Sequence, residues 1–223
     1  TAIGRSALAT QNFTTATDGF NTAVGFNAGV NVTTGLFNSL IGGLSGDGLT
    51  TGTRNIAVGH NALGADTKGS KSVAIGIASL GDQNFSTATD SFNTAVGHGA
   101  GTAVTTGLSN TLIGGVAGDA LTDADHNTAI GNESLTADTL GSKSTAIGSL
   151  ALTTQNFTTA TDTFNTAVGF QAGTSVTTGV QNTLIGGLAG SSLTTPNQNV
   201  AVGHGALDAE TAAARNTAIG TNA

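Results

Sequence analysis

A five-residue motif (Asn or Ser, any residue, Ala or Leu, Val or Ile, then Gly) recurs along this chain at intervals of 21, 17, 17 and 17 residues, and that series itself repeats. Its glycines are Gly4, Gly25, Gly42, Gly59, Gly76, Gly97, Gly114, Gly131, Gly148, Gly169, Gly186, Gly203 and Gly220, so a short unit is nested in a 72-residue one. Units that carry the same apolar pattern must bury it in the same way, and stacking like coils on one another does this. The chain is read as one array over residues 1–223, without a domain boundary.

Composition supports a thin, ordered array. There are 34 Gly, 9% charged residues and no Trp, Tyr, Met or Cys. Apolar residues make up 38% and arrive in short packets at regular spacing, which a disordered low-complexity chain lacks. A formal charge of −7 with six Lys and Arg argues against a nucleic-acid partner, since phosphate binding needs clustered cations. No run approaches the roughly 20 apolar residues that a membrane helix needs. Thr1 falls inside a motif and Ala223 partway through a coil, so the expectation is a segment of a longer repetitive protein.

The columns of the repeat each predict a structural place. Val or Ile directly before each glycine, as in Val24, Val96 and Val168, predicts a short buried strand followed by a turn at Gly25, Gly97 and Gly169. Two before the glycine stands Ala, or Leu at Leu40, Leu112 and Leu184; this small column predicts a backbone or sheet approaching closely. Four before it stands Asn, as in Asn21, Asn93 and Asn165, with Ser72 and Ser144 as exceptions. One Asn per coil at equal height predicts a stacked ladder. Four after the glycine the order is strictly Leu, Gly, Gly, Leu, and eight after it every 17-residue coil carries Thr, as in Thr33, Thr50 and Thr105.

Each coil therefore reads as strand, turn, second short strand, turn. Helix is a poor alternative, because the apolar residues do not recur at three and four and each interior Gly would cost about 1 kcal/mol. Parallel stacking at about 4.8 Å per step gives a rod on the order of 60 Å long. The 21-residue coils insert residues 12–20, 84–92 and 156–164, each holding two Phe: Phe13 and Phe20, Phe85 and Phe92, Phe157 and Phe164. These insertions predict loops that fold aromatics onto the rod or present them to a partner.

Motifs that suggest chemistry are weak. The stretch 64–72 has one residue too many for a phosphate loop and lacks a strand-to-helix context. The stretch 42–49 nears a calcium-binding nonapeptide, but Ser45 replaces a required glycine and a later copy has Ser191 where Asp47 and Asp119 stand. His60, His98, His126 and His204 have no second ligand at metal spacing. No catalytic residue, cofactor or metal site is expected. An ice-binding Thr face is disfavoured because pairs such as Thr33 and Thr34 are adjacent and so point oppositely.

At Lys71-Ser72-Val73-Ala74-Ile75-Gly76-Ile77-Ala78-Ser79 the chain resembles the N-S-V-A-I-G-x-x-S head repeats of YadA-like trimeric autotransporter adhesins, matching in all but the first residue. Asn55-Ile56-Ala57-Val58-Gly59-His60-Asn61-Ala62-Leu63 resembles the N-T-A-V-G-x-x-A-L repeats of bacteriophage tail fibres and long surface proteins. The resemblance implies a left-handed parallel β-roll with three chains packed side by side. It also implies an extracellular, cell-surface or virion fibre that extends or presents binding parts. The coils here are longer than the family pattern, which leaves a single-chain solenoid open. The alternative reading makes the solenoid face itself a platform for a matrix protein, glycan or ice.

Overall fold

The computed structural model describes all 223 residues, which form an all-β parallel solenoid without helix. Thirteen short strands, one per repeat, run from Ala2–Ile3 through Thr94–Val96 to Thr217–Ile219 and make one parallel sheet in chain order. Every residue pairs with its own equivalent one coil away. Thr94 stands between Val73 and Thr111, Ala95 between Ala74 and Leu112, and Val96 between Ile75 and Ile113. A fixed repeat imposes this register, because a slip of one residue would turn every inward side chain outward.

The two faces of the strand are the reverse of the sequence expectation. Ala23, Ala57, Ala74, Ala95 and their equivalents are fully buried, whereas Ile41, Ile75, Ile113 and Ile185 are 37–43% exposed. The residue before the glycine is therefore not the core residue. Strand alternation places the Ala or Leu inward and the Val or Ile outward. The small column is small because the coil is thin and its own far side packs against it, not because another sheet approaches there. One cluster of 30 buried residues fills the interior, all of them Ala, Leu or Val.

Two irregularities of the repeat compensate each other in this core. Added side chains at Gly29 and Gly46 would come within 2.6 and 2.7 Å of the Leu40 methyl groups. Leu40 thus fills the room that glycine leaves four residues after two successive repeat glycines, and Leu112 does the same against Gly101 and Gly118. Interior volume is conserved while its source alternates between columns.

The second short strand predicted in every coil is present only where the second and third enlarged coils stack on the coil before them, with Gly69–Ser70 paired to Thr89–Asp90 and Gly141–Ser142 to Thr161–Asp162. Elsewhere turns and bends occupy that side. At the repeat glycine the turn is glycine-specific: Gly97 has φ +146, and a Cβ there would collide with the Gly114 carbonyl oxygen one coil on. Other corners use the left-handed region with ordinary residues, among them Arg54 (φ 60), Lys71 (φ 63), Ala78 (φ 55) and Leu80 (φ 47). Each such residue costs about 1–2 kcal/mol, which the inter-coil hydrogen bonds must offset.

Candidate functional site

The Asn column joins each coil to the next through the backbone. Asn93 Oδ1 accepts the Asn110 N–H at 2.8 Å, and Asn93 Nδ2 donates to the Gly107 carbonyl at 2.7 Å. Asn21 binds Asn38 and Gly35, and Asn165 binds Asn182 and Gly179, in the same way. All three are almost wholly buried. The ladder is thus mainly side chain to backbone, with direct Asn-to-Asn contacts at 3.2–3.3 Å adding to it in some coils. These residues hold the rod together and present nothing outward.

Ser72 and Ser144 interrupt the ladder because the enlarged coil that follows sends in a glutamine. Gln83 Nε2 donates to Asp66 Oδ2 at 2.7 Å and to Ser72 Oγ at 2.8 Å, while its Oε1 accepts from Asn93 Nδ2 at 2.9 Å. Asp66 also accepts the N–H groups of Gly69 and Phe85. Asp138, Gln155, Ser144 and Asn165 repeat this arrangement 72 residues later. Asp66 and Asp138 are fully buried, so the phosphate-loop-like stretch 64–72 is instead one side of a buried polar seam. The recurrence of Gln11, Gln83 and Gln155, and of Asp66 and Asp138, at a 72-residue spacing was a signal that sequence reasoning passed over.

The six insertion phenylalanines divide into two roles. Phe85 and Phe157 are 5% and 7% exposed and seal the loop against the rod, with Phe13 half-buried in the equivalent place. Phe20, Phe92 and Phe164 are 52–67% exposed. They lie on a ridge where Lys71 sits over Phe92 at 4.8 Å and Lys143 over Phe164 at 5.3 Å, and where Phe20 stacks on Phe37 at 5.4 Å. Asp90 and Asp162 pair with the same two lysines. The two lysines are thus offset, whereas Arg54, over Phe37 at 5.6 Å, has no carboxylate partner.

The Thr column eight residues after the glycine lies at the surface with its hydroxyls engaged between coils: Thr33, Thr50 and Thr122 donate to the carbonyls of Thr50, Thr67 and Thr139 at 2.9–3.2 Å. The face that reaches outward belongs to the strands. Its columns are Thr, Ser, Ile or Val three before each glycine and Val or Ile one before, with no charged residue in either. At about 4.8 Å per rung this strip is about 60 Å long and about 10 Å wide, on the order of 600 Å². Ten of the thirteen residues three before the glycine are Thr or Ser, so the apolar part is the Val/Ile column, about half of this area and within what a monomer ordinarily exposes as one patch.

No three His, Asp or Glu side chains converge as metal ligands, and the four histidines are each exposed in separate coils. Burial pushes the Asp47 carboxyl above its ordinary value, against the opposing pull of the Asp47 and Gly48 N–H groups and of His60. Glu210 occupies the place of Asp66 and Asp138 in the last coil, where the N–H groups of Ala212, Ala213 and Thr211 hold its carboxyl below the usual range. A shallow depression at that end is lined by Leu207, Asp208, Glu210 and Asn222. Comparison with family models, curated proteins and solved structures returns no match.

Proposed function

We propose that this chain is a segment of a non-enzymatic structural fibre or adhesin, the shaft or head of a phage tail fibre or bacterial surface appendage, that extends binding parts towards a host or other surface. The single observation that carries this reading is the uncharged Val/Ile strip running unbroken along one side of the parallel solenoid. Water is a poor neighbour for such a strip, and an interface of the roughly 800 Å² per partner that a stable complex buries has to include the columns beside it. Further copies of the same chain cover it, three being the number that the adhesin resemblance implies. The work done is mechanical: ladders of hydrogen bonds keep the rod extended, and lateral packing stiffens it. The proposed setting is extracellular, on a cell surface or virion.

Sedimentation of the purified segment tests this, alongside a variant with Val96→Lys and Ile113→Lys in the strip. An oligomer that falls to a folded monomer in the variant, with an unchanged circular dichroism spectrum, is the expected result. A folded monomer for the parent chain would sink the lateral assembly and leave a single-chain solenoid. The second reading, a binding platform, draws on the exposed Phe92 and Phe164 beside Lys71 and Lys143. It requires that Phe92→Ala and Phe164→Ala together abolish adhesion to a cell or glycan surface without altering sedimentation.

A further inference from the structure

The buried polar seam between a 17-residue coil and the enlarged coil after it does something that the apolar core cannot do. Coils in this array are near copies: each has the inner Ala or Leu, the repeat glycine and, in most, the Asn clamp. A stacking that skipped one coil and looped it out would keep nearly all of these contacts. The residue seven after the repeat glycine distinguishes the coils, because it runs Asp66, Gln83, Val104, Leu121 and then Asp138 again, all pointing into the core. Within its own coil Asp66 accepts the Gly69 N–H, and its other partners, Gln83 Nε2 and the Phe85 N–H, come from the coil beginning at Gly76. The next coil offers Val104 there, which has no donor.

We propose that the Asp–Gln pair is a register key, which allows an enlarged coil to stack only on a coil carrying Asp and so fixes coil order in a core otherwise tolerant of skipping. If the enlarged coil were skipped, Asp66 would face Val104 as a buried carboxylate that keeps the Gly69 N–H and loses both partners from the next coil. Breaking a buried hydrogen-bonded charge in this way disfavours the skipped stacking roughly a hundredfold or more. The key costs nothing in fibre continuity, because Ser72 and Ser91 hydroxyls close the ladder at 2.6 Å where the Asn clamp gives way.

The chain has no cysteine, so disulfide trapping reads the register directly. Val73 and Thr94 are partners across adjacent strands, and Thr94 and Thr111 across the next pair, so Val73 and Thr111 are two rungs apart. Two rungs is about 9.6 Å, beyond disulfide reach, whereas one rung is within it. After unfolding and refolding, the Val73→Cys, Thr94→Cys chain should close an intrachain disulfide and the Val73→Cys, Thr111→Cys chain should not. Adding Asp66→Leu with Gln83→Val should raise the intrachain 73–111 disulfide at least about tenfold. In a separate chain that keeps Asp66, Val104→Gln should raise it as well by offering a decoy partner. The proposal is overturned if both backgrounds refold with the 73–111 disulfide as rare as in the parent. It is also overturned if the Leu/Val double variant fails to refold, since the pair would then be holding the fold up and not choosing among stackings.

Discussion

Asn110→Ala tests whether the Asn ladder couples coils as strongly as its geometry indicates. The Asn110 side chain is fully buried, accepts the Asn127 N–H at 2.9 Å and donates to the Ala124 carbonyl at 2.7 Å. Alanine removes both bonds, and a longer one to Asn93 Oδ1, and leaves two backbone groups without partners, in residues that are themselves almost wholly buried. At about 1–3 kcal/mol for each abandoned group the loss is about 4 kcal/mol, localised to one coil interface because coils couple only to their neighbours. Chemical denaturation followed by circular dichroism at fixed protein concentration measures it, and hydrogen exchange at the Asn127 amide locates it. Asn110→Asp should be no better, since it keeps the acceptor but aims a carboxylate at the Ala124 carbonyl oxygen. Asn132→Ala is the control: its bond to the Gly115 carbonyl is exposed, and its loss should cost less than about 0.5 kcal/mol. Equal losses for Asn110→Ala and Asn132→Ala would refute the argument.

Two further predictions concern pH. Glu210 has its folded value lowered, so its contribution is present above the ordinary value of 4.5 and is lost as pH falls through the lower folded value. The Ala212 and Ala213 amide resonances should therefore shift as the pH is taken below that point, and Glu210→Gln should remove the transition. Asp47 is the opposite case: its value is raised by burial, so ionisation weakens the fold as pH rises from the ordinary 3.8 through the folded value. Asp47→Asn should raise the melting temperature at neutral pH, with the gain vanishing well below pH 3.8; a gain that persists in acid would show that the charge is not its cause.

The parallel stacking, the number of coils and the one-coil register were all legible in the spacing of Gly4 through Gly220, because a strict period leaves like residues to pair with like. The turn at Gly97 was legible too, since only glycine accepts φ +146 against a neighbouring carbonyl. Left-handed corners at Lys71 and Leu80 were not, because no glycine marks them and the backbone there is imposed by bonds to adjacent coils. The candidate face was misread for a related reason. Val96 and Ala95 are one residue apart, and hydrophobicity favours Val as the buried one; the choice fell to Ala95 because the space between the two sides of a thin coil admits only a small side chain beside Leu80 and Val104. Sequence determined by itself that this protein is a ladder and where its rungs lie. Only the tertiary structure decided which side of each rung is interior, since that depends on the volume enclosed when the coil closes on itself, a quantity no single column of the repeat contains.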